Sequence, residues 1–398
     1  MTEQSKKRAT TILFVVSLLL VATNLRAPFT SVAPVLSYIG SEFQLSSSQL
    51  GLFSALPLFV FATFSPFVSR IARRWGMELT LFLGVLTLTL GSIVRVIGPL
   101  SAAVVGTMLV GAGIAIGNVL IPSFLKRDFP TRIGLFTAFY GLSMAIASTI
   151  GSAAAVPLAE RFEATWRASL SIFIVLGMVS AIVWAFQLRH NKAAHTPVTT
   201  HRGPPLWRYP LAWHVTLFLG LNSFLYYITI AWVPAILVSN GFSEEAAGNI
   251  HGLMQFTSGT AGLAMAPFLA RLNDQRPIAL VAAGGLTLSL LGMQWMPAHS
   301  ATWALVLGFF GGAVFLLGLA FTGMRARTVE ESAALSGMAQ SIGYLLATTG
   351  PSLMGWVYDR TQNWNVVLNL CVALTLVMIY FGWQAGKNIQ IGDLKPRS

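Results

Sequence analysis

The chain has 398 residues, 55% of them hydrophobic and 10% charged, with a mean hydropathy of +0.70; a soluble domain carries about a quarter charged residues, so this composition calls for lipid. Its net charge of +12 would suit a nucleic-acid binder, but the basic residues gather in short connections between apolar runs, which excludes that partner. A single cysteine, Cys371, excludes an internal disulfide and argues against a cysteine-based metal site.

A membrane-crossing helix needs about 20 apolar residues. That ruler predicts twelve helices, at 11–36, 47–69, 79–98, 101–124, 133–158, 165–187, 211–238, 245–270, 278–297, 301–324, 332–357 and 364–386. Lys6, Lys7 and Arg8 before an apolar stretch look like a secretory leader. Arg26 and Pro28 instead fit a longer, broken helix, and the chain stays hydrophobic throughout.

In the first helix, "VATNLRAPFTSVAP" places Arg26 about 20 Å along the axis at 1.5 Å per residue, too deep to snorkel readily. A partner carboxylate would be the ordinary explanation, yet no Asp or Glu lies well inside the twelve segments. Packing against backbone carbonyls is the alternative. Pro28 should free a carbonyl one turn earlier, near Asn24. Arg26 is therefore expected to face a wet cavity and offer positive potential to a solute, with Asn24 beside it.

Arg95 closes the third helix, three residues before Gly98-Pro99, and reads as a head-group snorkel at the outer surface. In the fourth, Asn118 precedes Pro122 and suits either interhelical hydrogen bonding or cavity lining. Gly106, Gly111, Gly113 and Gly117, like Gly308, Gly311 and Gly312 of the tenth helix, suit close helix approach. The polar run "RHNKAAHTPVTTHRGPPLWRYP", 189–210, is expected to be a flexible cytoplasmic linker between an N-terminal bundle, 1–188, and a C-terminal bundle, 211–398.

Asn222 and Tyr226 share a face of the seventh helix at i, i+4, as do Gln340 and Tyr344 of the eleventh. An amide beside an aromatic ring suits a flat, polar, delocalised solute. Tyr226 and Tyr344 lie too deep for the interfacial aromatic belt. Tyr140 of the fifth helix opposes Gln340 at an offset of 200. In the eighth helix His251 and Gln255 are again i, i+4. His251 is the only histidine well inside a segment, and imidazole is the side chain whose ordinary pKa lies near neutral pH; its candidate role is proton coupling, its alternative an ordinary hydrogen bond.

The positive-inside rule, with the N-terminus in the cytoplasm, assigns 20 of the 25 basic residues to that side. Arg26, Arg95, Arg161, Arg167 and Arg360 are the exceptions. The opposite face is acidic, with Glu42, Glu160, Glu163, Glu244, Glu245 and Asp359. Both termini are thus expected in the cytoplasm.

The halves repeat weakly. "SPFVSRI" echoes "APFLARL" 201 residues on, Gly51-Leu52 echoes Gly252-Leu253, and Pro34 with Pro234 and Arg127 with Arg327 match at 200. Two parallel six-helix halves with a midplane cavity describe a rocking transporter. With "NLRAPFTSVAPVL", "GNVLIPSFLKRDFP" and "WRASL", the chain resembles the major facilitator superfamily, and within it the cyanate porter family. "ALSGMAQSIGYLLATTGPSLMG" and "NSFLYYITIAWVPAIL" resemble its 2-nitroimidazole exporter branch.

The resemblance implies an all-α membrane protein of the major facilitator fold, with about twelve transmembrane helices in two pseudo-symmetric six-helix bundles. It implies a path lined by the first, fourth, seventh and tenth helices, which makes Asn118 a lining candidate, and an arginine near Arg95 with a gate role. The superfamily's Gly-x-x-x-Asp-Arg-x-Gly loop is altered here. "SRIARRWG" has Ser69 and Arg73 where glycine and aspartate are expected, while "ARLNDQRP" keeps Asp274, a gate candidate, but has Pro277 for the last glycine.

The expected function is secondary transport of a small anion or flat heteroaromatic solute in the bacterial cytoplasmic (inner) membrane. The resemblance favours export of 2-nitroimidazole-like compounds; uptake of cyanate or another small anion is the alternative. A solute-binding membrane sensor is the reading from another class, opposed by the lack of any signalling domain. No phosphate-binding loop is present, so ATP is not expected to drive it, and no catalytic constellation suggests an enzyme. The expected partners are the solute and lipid; no cofactor or metal is expected, and the chain is expected to be a monomer.

Overall fold

The computed structural model of the chain describes residues 3–129, 132–161, 165–190, 205–272 and 274–393. Among them every regular element is helical. Among the described residues, ten helices are long and apolar enough to cross a membrane. Two more long helices, α10 (Glu244–Arg271) and α13 (Val329–Thr361), correspond to the expected eighth and eleventh spans and carry His251 and Gln255, and Gln340 and Tyr344. Of the linker expected at 189–210, residues 191–204 lie outside the described residues, as do Glu163, Lys395 and Arg397.

Contacts divide the chain into two units, Met1–Phe43 with Leu56–Thr196, and Gln44–Ala55 with Pro197–Ser398. The first holds α1 (Glu3–Asn24), α2 (Ala27–Thr30), α3 (Leu36–Phe43), most of α4 (Ser47–Trp75), α5 (Met77–Val96), α6 (Leu100–Asp128), α7 (Ile133–Arg161) and α8 (Trp166–Ala185). The second holds the start of α4, α9 (Pro210–Ser239), α10, α11 (Arg276–Trp295), α12 (Ser300–Met324), α13 and α14 (Trp364–Ala385).

Local chemistry explains the helix ends. Gly76 adopts φ +87° before α5, a left-handed conformation that suits glycine. The Thr165, Ser243 and Thr328 side chains accept amides three residues on and cap α8, α10 and α13. The break expected in the first helix is present. α1 stops at Asn24, Arg26 takes φ −130°, ψ −45°, and the short α2 follows. Pro28 lacks an N–H, and its ring would clash with the carbonyl four residues back, that of Asn24. Pro34 sets up a 3-10 turn, Ala33–Val35, before α3.

Small residues set the packing of both units. On α6, a Cβ at Gly106 would lie 2.3 Å from the Arg95 amide nitrogen on α5, so the two backbones touch. α9 meets α13 at Gly220 and Gly343, where a Cβ on Gly220 would lie 3.2 Å from the Gly343 Cα. Gly308 and Gly312 bring α12 onto the Met254 and Ser258 carbonyls of α10. Gly311 has nothing within 4 Å of such a Cβ; contrary to expectation it opens space rather than closing a contact.

Candidate functional site

In the first unit, the break after α1 decides where the polar side chains go. Arg26 is partly exposed, and its carbonyl accepts from the amides of Phe29 and Thr30 and from Thr30 Oγ1 at 3.2 Å. Asn24 corrects the expectation of a solute contact. It is fully buried and its Nδ2 donates to Ser180 Oγ of α8 at 2.7 Å and to the Leu20 carbonyl at 3.0 Å. It ties α1 to α8, while its Oδ1 has no hydrogen-bond partner among the described residues.

Arg95 corrects the head-group reading. It is 1% exposed, and its Nη1 donates to the Pro28 carbonyl at 3.0 Å. The physical reason is the direction of helical side chains, which tilt toward the N-terminus of their own helix. At the C-terminal end of α5 a long side chain therefore reaches back into the protein, toward the break. Farther along the unit, Tyr140 and Asn118 meet: the tyrosine hydroxyl of α7 donates to Asn118 Oδ1 of α6 at 2.8 Å. Both are partly buried.

The second unit brings its candidates together more closely. Tyr226 OH of α9 donates to Gln255 Oε1 of α10 at 3.0 Å. Gln255 Nε2 lies 3.3 Å from His251 Nε2. An amide nitrogen only donates, so this geometry needs the imidazole nitrogen as acceptor and its proton on Nδ1. His251 is fully buried and Gln255 is 2% exposed. Asn222, Tyr226 and Gln255 line a small cleft with Thr229, Ser258 and Gly311. The Tyr226 ring meets that of Tyr227 edge to face at 5.4 Å.

Gln340 and Tyr344 do not line this cleft. Both are partly buried on α13, and Gln340 Nε2 donates to Ser336 Oγ at 2.8 Å. Sharing a face of one helix did not bring them to the face shared by α9 and α10. Asp274, the gate candidate, pairs with Arg276 two residues on, at 2.5 Å. The Arg276 side chain and amide hold its carboxyl below the ordinary carboxylate value, so within the second unit it serves a local turn.

One residue escaped the sequence reading. Glu78 lies just outside the predicted third segment, yet it is 1% exposed. Its Oε1 accepts from Arg127 Nη1 at 2.8 Å, and its backbone carbonyl accepts from Trp184 Nε1 at 3.0 Å. The signal available was an acidic residue directly after the Gly76 turn, with the repeat-matched Arg127 ending α6.

Comparison with known proteins agrees with this architecture. The Major Facilitator Superfamily model matches residues 14–351. The 2-nitroimidazole transporter of Escherichia coli (strain K12) is 43% identical over 96% of this chain and 97% of its own length. The cyanate transport protein CynX of the same organism is 26% identical over 87% and 90%. Among solved structures, a D-xylose-proton symporter superposes with a TM-score of 0.76 over 97% of this chain and 99% of its own, at 10% identity, which speaks to fold alone. The chain is therefore a multi-pass membrane transporter of the major facilitator superfamily, not an enzyme.

Proposed function

We propose that this transporter works by alternating access as an exporter of flat, 2-nitroimidazole-like heteroaromatic solutes. In this reading it has twelve spans in two six-helix bundles, 1–188 and 211–398, both termini in the cytoplasm, and acts as a monomer in the bacterial inner membrane. The observation that carries it is the hydrogen-bonded row Tyr226–Gln255–His251 beside Asn222 in the second unit. A nitroimidazole offers ring N–H, ring nitrogen and nitro oxygens in one plane. An amide, a phenol and a second amide meet those groups while the tyrosine rings stack on the faces. The name of the 43%-identical relative supports the same solute class.

His251 is proposed to carry the coupling proton, with Gln255 passing its state to Tyr226. Arg26 is proposed to supply positive potential, and Asn118 and Tyr140 to add hydrogen bonds from the first unit; Gln340 and Tyr344 are kept as contacts of another conformation. The partly exposed Arg26 also favours a second reading, uptake of cyanate or another small anion.

Counterflow of labelled 2-nitroimidazole in proteoliposomes tests the first reading. Wild type should accumulate label, and Gln255→Leu should slow entry about tenfold, the order expected when a buried amide loses two hydrogen bonds. No counterflow in wild type, or wild-type rates in Gln255→Leu, would overturn it. Cyanate counterflow without nitroimidazole counterflow would select the second reading.

A further inference from the structure

Among the described residues, Arg95 is the one guanidinium of the first unit that is fully buried. Its Nη1 serves the Pro28 carbonyl. In an unbroken helix that carbonyl would accept the Val32 amide, which here bonds the Phe29 carbonyl instead. Any single neutral donor would satisfy one freed carbonyl. A guanidinium brings a full charge and further N–H groups, and Arg95 Nε and Nη2 have no hydrogen-bond partner among the described residues.

The idle pair is not arbitrary. Nε–H and Nη2–H form the side-on edge of the fork, the edge that grips an anion with two parallel hydrogen bonds. Arg95 forms no ion pair with any described carboxylate. Glu42 is engaged by Arg167, and Glu78 and Asp128 by Arg127. A buried charge in protein is ordinarily balanced by a counter-charge. One residue beyond Gly106, which presses on the Arg95 backbone, Thr107 is 2% exposed and its hydroxyl also lacks a partner.

We propose that Arg95, with Thr107 and the opened turn around Pro28, binds a small monoanion where α2, α5 and α6 meet. The side-on edge of Arg95 is the primary contact, and the Pro28 carbonyl holds the fork in place. A halide, or a short linear anion such as cyanate, is the class of ligand that one edge of a guanidinium binds. This site goes beyond the nitroimidazole reading and holds whichever solute the second unit takes. Its occupant is either a resident counter-ion or the transported solute, and the two share this chemistry.

The test is calorimetric titration of the purified full-length protein, in chloride-free gluconate buffer, with sodium bromide and separately with sodium cyanate. Wild type should bind at least one of them saturably at one site. Arg95→Gln keeps a donor for the Pro28 carbonyl and should weaken binding at least tenfold. Arg95→Lys keeps the charge but loses the side-on edge and should weaken it less. Thr107→Val should weaken it a few-fold.

Absence of saturable binding in wild type would overturn the site. So would unchanged affinity in monodisperse Arg95→Gln or, if that variant does not fold, in Arg95→Lys together with Thr107→Val. Bromide binding without cyanate counterflow would identify a resident counter-ion; cyanate binding with counterflow would identify the solute. Nitroimidazole counterflow is read in the same preparation. Its absence alongside intact anion binding would remove the proposed solute and leave this site standing.

Discussion

The first unit buries a guanidinium at the break in its first helix, and the second buries a row of neutral polar groups between α9 and α10. Between α2, α5 and α6 the first unit encloses the Arg95 guanidinium with one carbonyl as its hydrogen-bond partner. Between α9 and α10 the second encloses a phenol, an amide and an imidazole in one row. Neutral hydrogen bonds between membrane helices are worth on average about 0.6 kcal/mol, whereas enclosing an ion costs several kcal/mol unless it is well compensated. The packing does not follow that division, since α12 presses on α10, which carries part of the neutral row, as closely as α6 presses on α5. Around Arg95 backbones touch at Gly106; at the α9–α13 crossing the two glycines leave more room. A helical framework of one kind thus tolerates unlike polar contents, the buried Arg325 of the second unit included.

The sharpest way to break this comparison is to add one methyl group to each contact. In Gly106→Ala the new Cβ would meet the Arg95 amide at 2.3 Å and the Gly91 carbonyl at 2.6 Å. Backbone cannot yield as a side chain does, so α5 and α6 must part, at about 1–3 kcal/mol. In Gly220→Ala the nearest atom is at 3.2 Å, and a shift of a few tenths of an ångström accommodates it, at about 1 kcal/mol or less. Thermal unfolding of both variants in one detergent should show the larger drop for Gly106→Ala. Equal drops would mean that the two contacts are equally strict.

Next in size is the pair that ends each of α6 and α12. In the first unit the buried Glu78 holds Arg127, which is itself 40% exposed. In the second, Arg325 just beyond α12 is 1% exposed and its side chain donates to neutral acceptors, Gln275 Oε1 and the Ala385 and Gly386 carbonyls, and lies over the Phe321 ring. Burial holds the Arg325 guanidinium below its ordinary value, partly offset by Asp274. Glu78→Gln should lower stability by about 1 kcal/mol, since the exposed partner can rehydrate. Denaturant or thermal unfolding measures it, and no loss would make the acid in the first unit dispensable.

How much of this was legible in the sequence depended on whether a contact was local. The break near Pro28 was legible because a proline acts on its own chain four residues back. The His251–Gln255 pairing was legible because i, i+4 is a property of one helix. Asn24 was misread because its amide turns to Ser180, 156 residues away, and nothing in the local sequence points there. Arg95 was misread because its position near a helix end suggested a head group, while the tilt of its side chain carried it inward. Glu78 was missed by a ruler that counts apolar residues and so began the segment one residue late. Gln340 and Tyr344 show the limit of face-sharing: it predicts neighbours along a helix, not which other helix they meet.

The smallest expected effect sharpens the same contrast at the chain's last described turn. Asp393 accepts the Gln390 amide at 2.8 Å and pairs with Arg327, and the adjacent Ile391 is 1% exposed, its amide donating to the Arg325 carbonyl at 2.9 Å. In the second unit the repeat-matched arginine is thus held by an exposed tail, where the first uses a buried acid. The Gln390 amide and then Arg327 hold the Asp393 carboxyl below its ordinary value. A carboxylate depressed in the folded state contributes stability that is full above its unfolded value, near pH 4, and is lost as pH falls through the folded value. Asp393→Asn should therefore lower the unfolding temperature slightly at neutral pH, by about a degree or less for so exposed a pair. The gap to wild type should stay constant down to about pH 4 and close below it. A gap that widened on acidification would have the wrong sign for a depressed carboxylate, and would show that the tail is held by Ile391 and the backbone alone.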